Sequence, residues 1–200
     1  MSDDLNESWP PQGHRIASSE HLKALGEITL AYNYFEETIG LLFTRTMPTE
    51  EAFSARLYQR MNNRDRIDLL SAIVSAASID EEIKDGLKYV ILCYDICTDN
   101  RNILSHAILE SSDADIIELS KKAARDPTRL TQFKVPLEDL RRFAEDTGNC
   151  FTYALRLSLT ISARAAPQDA RGSIPDWHFS LPSKPQKPSK LTPHLPPAGQ

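Results

Sequence analysis

One short stretch of the chain brings together side chains that can cleave a phosphodiester, the segment Arg101-Asn102-Ile-Leu-Ser105-His106. Arginine offers a planar fork of donors for a phosphate, and histidine can take or give a proton near neutral pH. Asn102 and His106 are four residues apart, so on a helix the amide can hydrogen-bond the imidazole and orient it. Arg101 would stabilise the negative charge that grows on phosphorus while an RNA strand is cut.

The element that must position this segment is a predicted helix from about Ile79 to His106, with Ser78 and Glu81 at capping-box spacing. A helical wheel gives it a polar stripe of four residues, which are Asp95, Asp99, Asn102 and His106. Arg101 lies off the stripe, but its side chain is long. Asn100 points toward the apolar side, so its amide needs a hydrogen-bond partner, which we expect on a neighbouring helix.

A single copy of this helix offers one histidine, whereas acid–base cleavage in two steps needs two proton-transfer groups. A homodimer that sets two copies of the stripe face to face would supply the second group. The chemistry therefore predicts a twofold partner.

The segment Arg101-Asn102-x-x-x-His106 resembles the signature of the HEPN superfamily (higher eukaryotes and prokaryotes nucleotide-binding domains), as does the long helix before it. The resemblance implies a metal-independent endoribonuclease without cofactors, whose site at a homodimer interface contains Arg101, Asn102 and His106. It implies products with a 2′,3′-cyclic phosphate and a 5′-hydroxyl. It also implies a toxin–antitoxin or defence setting with an antitoxin-like protein partner. Because some members are non-catalytic interaction or RNA-binding modules, that function is the alternative.

Secondary site candidates lie on or near the stripe, and they are Asp95, Asp99, Ser105 and Glu36. Glu36, on the first helix, could reach across a bundle and hydrogen-bond Arg101 or His106. The two aspartates could orient Arg101 or simply form a solvated face, and with one histidine they make a poor metal site, so we expect no metal.

Three arginines recur every four residues, which places Arg56, Arg60 and Arg64 on one side of a predicted second helix. Such a ridge is a candidate for RNA contact or an ordinary exposed face. Simpler roles also exist for the signature residues. His106 could cap the end of its helix, and Arg101 could form a surface ion pair with an aspartate.

The fold class predicted is mainly α: a HEPN-like bundle of four to five helices. Apolar residues at spacings of three and four mark a first helix over 18–46, capped by Ser18 or Ser19. A second helix follows Thr49 to about Ala77 with a bend at Asn62-Asn63, and a last one covers about 137–165. Between the last two long helices we expect a short β-hairpin.

Composition divides the 200 residues into an irregular segment 1–17, a helical domain 18–166 and a proline-rich tail 167–200. The net charge of −5 argues against broad, non-specific duplex binding, but leaves room for a local RNA site. No apolar run is long enough to span a membrane, and the acidic, polar first residues predict no secretory signal. Three cysteines make no disulfide framework, so we expect a cytoplasmic protein.

Overall fold

The computed structural model describes residues 16–122 and 130–194, so the segment 1–17 lies almost entirely outside the described residues. The helices are α1 (Ser19–Thr46), α2 (Glu51–Arg60), α3 (Asn63–Ala76), α4 (Glu81–His106) and α5 (Leu137–Ala165). The strands are β1 (Ile108–Ser112), β2 (Ile116–Lys122) and β3 (Leu130–Pro136). The prediction of a mainly α fold with a small β element is confirmed.

α1 forms because apolar side chains repeat along one face, and that face makes the centre of the core. Ile28, Tyr32, Phe35 and Leu42 are fully buried, as the spacing predicts. Ser18 caps the helix, since its side chain accepts a hydrogen bond from the backbone N–H of His21. α1 packs most extensively against α5, and α4 packs against both α3 and α5.

The predicted second helix is two helices. Asn62 ends any continuation of α2 and caps α3, because its side-chain oxygen accepts from the backbone N–H of Asp65 at 3.0 Å. The predicted capping box at Ser78 is wrong. Asp80 is the N-cap of α4, and its carboxylate accepts from the N–H of Glu82 at 2.9 Å.

A three-stranded antiparallel sheet in the order β1-β2-β3 connects α4 to α5. In the β2–β3 register Ile117 faces Val135 and Leu119 faces Phe133, and all four side chains are buried. This alternation fixes the register, because a slip by one residue would turn the apolar set to solvent. The sheet starts directly after α4, so it lies beside the Arg101–His106 segment.

The proline-rich tail follows α5 and lies along α4. The hydroxyl of Tyr89 donates to the carbonyl of Pro185 at 2.5 Å, and Lys184 pairs with Asp85 at 2.5 Å. Further on, the N–H of His194 donates to the carbonyl of Gln132 in β3. The described part of the tail therefore touches both α4 and the sheet. Within the described residues, no helix has the length and apolar character needed to cross a membrane.

Candidate functional site

The signature segment occupies the last turns of α4, which ends at His106, where the N–H of Ala107 donates to the carbonyl of Ile103. The inner face of this end is anchored by Cys97 and Asn100, both buried. Arg101 and Asn102 are half-buried, whereas His106 is exposed. The helix thus presents three candidate groups at different depths.

Arg101 is held over an aromatic ring. Its guanidinium carbon lies 5.4 Å from the centroid of the Tyr32 ring, and its Nη1 donates to the side-chain oxygen of Asn102 at 3.3 Å. A cation over a tyrosine face gains about 0.5–1 kcal/mol at such partly exposed sites. Among the described residues, Arg101 forms no ion pair with Asp95 or Asp99, and Asp99 instead pairs with Lys190 of the tail at 2.7 Å.

Tyr32 is itself fixed by a buried hydrogen-bond network that joins α1, α3 and α4. Its hydroxyl accepts from the Asn63 amide at 2.8 Å and contacts Thr98 at 3.1 Å and Tyr94 at 3.3 Å. Burial raises the pKa of Tyr32, so the hydroxyl stays protonated at neutral pH. Tyr32 is one of the residues in the apolar spacing that predicts α1, and that spacing alone indicates only a core position. The feature of the sequence that could have indicated this role is the phenol hydroxyl, since a buried tyrosine hydroxyl needs a hydrogen-bond partner.

Glu36 belongs to this network. Its Oε1 accepts from Arg66 Nη1 at 2.6 Å and from the Tyr94 hydroxyl at 3.4 Å. Arg66 also donates to the side chain of Asn63 and stacks on Tyr58, at 4.2 Å from the ring centroid. The structure therefore connects Glu36 to Tyr32, and through its ring to Arg101, by two routes, one through Tyr94 and one through Arg66 and Asn63. Among the described residues, Glu36 makes no direct hydrogen bond to Arg101 or His106.

His106 and Ser105 are exposed on the final turn. In the part of the chain that the structure describes, no hydrogen bond joins the imidazole of His106 to Asn102. Instead the Asn102 side-chain oxygen accepts from Arg101, and the Asn102 carbonyl accepts from Lys121 Nζ at 3.3 Å. Within the chain, the arginine is therefore paired with the amide, and the imidazole lies exposed on the last turn.

Two further polar residues near the end of α4, Asp99 and Asn100, contact the tail. Asp99 is exposed and bound to Lys190, whereas Asp95 is half-buried. Asn100 was expected to bond a neighbouring helix, and this is wrong. Its Nδ2 donates to the carbonyl of Ser189, and its Oδ1 accepts from the N–H of Leu191, both at 2.8 Å.

The arginine ridge is divided between two helices. Arg56 and Arg60 are exposed on α2, whereas Arg64 follows the break and lies on α3. Arg64 pairs with Asp68 at 3.1 Å. The expectation that the three share one helix face is wrong, because the Asn62 cap restarts the helix between them.

Among residues 16–122 and 130–194, no group of three or more His, Cys, Asp or Glu side chains is placed to hold a metal ion. No family model, curated protein or solved structure matches this chain. Over residues 16–122 and 130–194 the fold is a bundle of five helices with a three-stranded antiparallel sheet, and the end of α4 carries Arg101, Asn102 and His106.

Proposed function

We propose that the protein is a metal-independent endoribonuclease of the HEPN type that acts as a homodimer. The observation that carries the proposal is the end of α4, where Arg101 is held by Tyr32 and Asn102 while His106 stays exposed on the last turn. A positioned cation and an accessible imidazole, the latter supplied twice by a homodimer, are the groups that cleavage at a ribose 2′-hydroxyl needs.

In the proposed reaction, His106 of one protomer removes the proton of the 2′-hydroxyl, and the 2′-oxygen attacks phosphorus. The bond from phosphorus to the 5′-oxygen breaks, and the second copy of His106 gives that oxygen a proton. The products are a 2′,3′-cyclic phosphate and a 5′-hydroxyl. Arg101 binds the non-bridging oxygens as their charge grows.

Helix geometry supports a shared site. His106 is five positions after Arg101, which on an α-helix is roughly 140° about the axis and about 7.5 Å along it. The two side chains of one protomer therefore leave α4 on different sides. A twofold partner can place its own histidine opposite this arginine, whereas a lone protomer pairs the arginine with Asn102.

The test is the cleavage of total RNA by purified protein, followed by mapping of the cleaved ends. We expect Arg101→Ala and His106→Ala to fold normally and to lose about 100-fold or more of the cleavage rate. His194→Ala is the matched control, because His194 is exposed and its bond to β3 uses the backbone. Equal cleavage by all three variants would exclude the proposed site.

A second candidate function is a non-catalytic module that binds a protein partner, such as an antitoxin-like protein, or RNA. It is favoured by one observation: α1 exposes Leu30 (62%), Tyr34 (61%) and Leu41 (43%) along one side. A solvent-facing apolar stripe of this kind is typical of an interaction surface. Protein that cuts no RNA but loses a stoichiometric partner on Leu30→Ser/Tyr34→Ser substitution would favour this function.

We further propose a cytoplasmic setting. All three cysteines are free and buried, and burial raises the pKa of Cys97 to about 12. Free thiols that are packed in a core suit a reducing compartment.

A further inference from the structure

A cleft of about 360 Å³ opens beside Asn102, between the end of α4, strands β2 and β3, and the tail. Its polar lining includes Lys121, Lys122 and Lys190, and its apolar lining includes Ile103 and Leu191. Small-ligand sites combine apolar walls with a few charged groups at about this volume. The cleft is therefore large enough for one nucleotide unit.

The charges of the cleft oppose those of the chain. Three lysines and one carboxylate, Asp99, line it, so it carries two net positive charges in a protein of net charge −5. Asp99 is already paired with Lys190 at 2.7 Å. Lys121 bonds the carbonyl of Asn102 at 3.3 Å, and Lys122 is exposed at the end of β2. A local positive cleft on an acidic body favours an anionic ligand.

The wall that carries Lys190 is built by a specific contact. Asn100 is 1% exposed, and its amide binds the backbone on both sides of Lys190, at Ser189 and at Leu191. A buried amide that satisfies both its donor and its acceptor on one short segment fixes the direction of that segment. Lys190 is thereby held at the rim of the cleft.

We propose that this cleft binds a phosphate-bearing nucleotide unit, with its phosphate on the lysines and its base or sugar on the Ile103 and Leu191 side. The site deepens the proposed function and rests on it in one respect, since the nucleotide bound next to Asn102 would neighbour the scissile one. The same chemistry exists in a free mononucleotide and in an RNA strand, and competition distinguishes the two.

The test measures binding without cleavage. The probe is a fluorescein-labelled hexaadenylate with 2′-O-methyl groups, which lacks the attacking hydroxyl, and the readout is fluorescence anisotropy at several salt concentrations. We expect Lys122→Ala/Lys190→Ala to weaken binding at least tenfold. We also expect the slope of log affinity against log salt to fall by about 1.4, the value for two phosphate contacts on a single strand.

The matched control is Lys23→Ala/Lys88→Ala, which removes the same charge from exposed positions on α1 and on the first half of α4. Equal weakening by both double variants would overturn the proposal, and so would no weakening by either. If adenosine 5′-monophosphate displaces the probe, the cleft binds a free nucleotide. If it does not displace the probe, the cleft binds a nucleotide only as part of an RNA strand. Inorganic phosphate competing as well as the mononucleotide would overturn a site of nucleotide size.

Cleavage is measured on the same samples. If the wild-type protein binds the probe but cuts no RNA, the nuclease proposal is wrong and the nucleotide-site proposal stands. If the wild-type protein cuts RNA and Lys122→Ala/Lys190→Ala binds the probe as well as wild type, the nucleotide-site proposal is wrong and the nuclease proposal stands.

Discussion

Two clefts of nearly equal size lie on this molecule, and they differ in charge. The cleft between α1 and α2, about 340 Å³, is lined by Glu36, Glu37 and Glu51 with Arg66 as its one cation. The cleft beside Asn102, about 360 Å³, is lined by three lysines with one aspartate. Because the volumes match, the charge and the availability of the lining groups must decide which cleft takes a ligand.

The charged side chains of the two clefts also differ in how far their existing contacts leave them able to bind a ligand. Arg66 is committed to Glu36 at 2.6 Å, to the carbonyl of Tyr58 and to the side chain of Asn63. Its side chain is only 14% exposed. In the other cleft, Lys121 and Lys190 each make one hydrogen bond among the described residues, and Lys190 remains 55% exposed. We infer that the acidic cleft is part of the scaffold that positions Tyr32, whereas the basic cleft can meet a phosphate.

The largest effect on stability should come from removing Arg66, the cation of the acidic cleft. Arg66→Ala removes a half-buried ion pair, two further hydrogen bonds and the stacking on Tyr58, which should cost about 2–3 kcal/mol of unfolding free energy. Urea unfolding measures it. Arg64→Ala, on the same helix but in an exposed pair with Asp68, is the control and should change little. Equal losses would mean that the Glu36 network is not a scaffold.

A smaller effect on stability should distinguish the role of the Tyr32 ring from that of its hydroxyl. Tyr32→Phe keeps the ring beneath Arg101 and leaves the Asn63 amide without its acceptor, so we expect a loss of about 1–2 kcal/mol in stability and near-normal RNA cleavage. Tyr32→Leu removes the aromatic face and should lower cleavage as well. Steady-state rates at a temperature where both variants are folded make the comparison. Equal rates in both would show that the ring does not position Arg101.

A local effect should follow from removing the Asn100 amide, which holds the tail segment around Lys190 beside the basic cleft. In Asn100→Ala the N–H of Leu191 loses its acceptor, so its hydrogen exchange should become faster, and probe binding should weaken with it. Exchange measured by NMR reports the change at single amides. Thr29→Ala on α1, which removes only a local side-chain bond to Leu25, is the control. Unchanged exchange at Leu191 would mean that Asn100 does not hold the wall.

The smallest effect is electrostatic. Burial raises the pKa of Asp146 on α5, beside the tail segment at Lys190. The folded protein therefore binds this proton more tightly than the unfolded chain, so the ionised carboxylate lowers stability at neutral pH. Asp146→Asn should raise the melting temperature slightly at pH 7. The gain in melting temperature should shrink as the pH falls through the raised pKa. It should vanish below the ordinary aspartate pKa of about 3.9. A gain that is constant with pH would contradict this account.

The sequence predicts the helices well because their information is local. The apolar spacing in α1 and the Leu137–Ala165 helix are visible without any partner, and both elements match the structure. The sequence alone leaves the β2 segment open between helix and strand, since its apolar residues fit neither period cleanly. Its pairing with β3 supplies the missing constraint.

The sequence indicates only part of what surrounds the candidate site. It groups Arg101, Asn102 and His106 because they share one helix end. It misses Arg66 and the tail, because their partners are distant in the chain: Arg66 binds Glu36 thirty residues away, and Lys190 binds Asp99 ninety-one residues away. An extended, proline-rich segment has no periodicity that would reveal which surface it covers.

The central claim is that two copies of the end of α4 share one site, and a mixed dimer tests it most directly. Wild-type and His106→Ala protomers with different tags are co-expressed, and the heterodimer is purified through both tags. With RNA in excess, we predict that the heterodimer loses about 100-fold of the cleavage rate, because each cleavage needs both histidines. A heterodimer that keeps half of the wild-type rate, or a fully active protein that forms no dimer, would contradict the shared site.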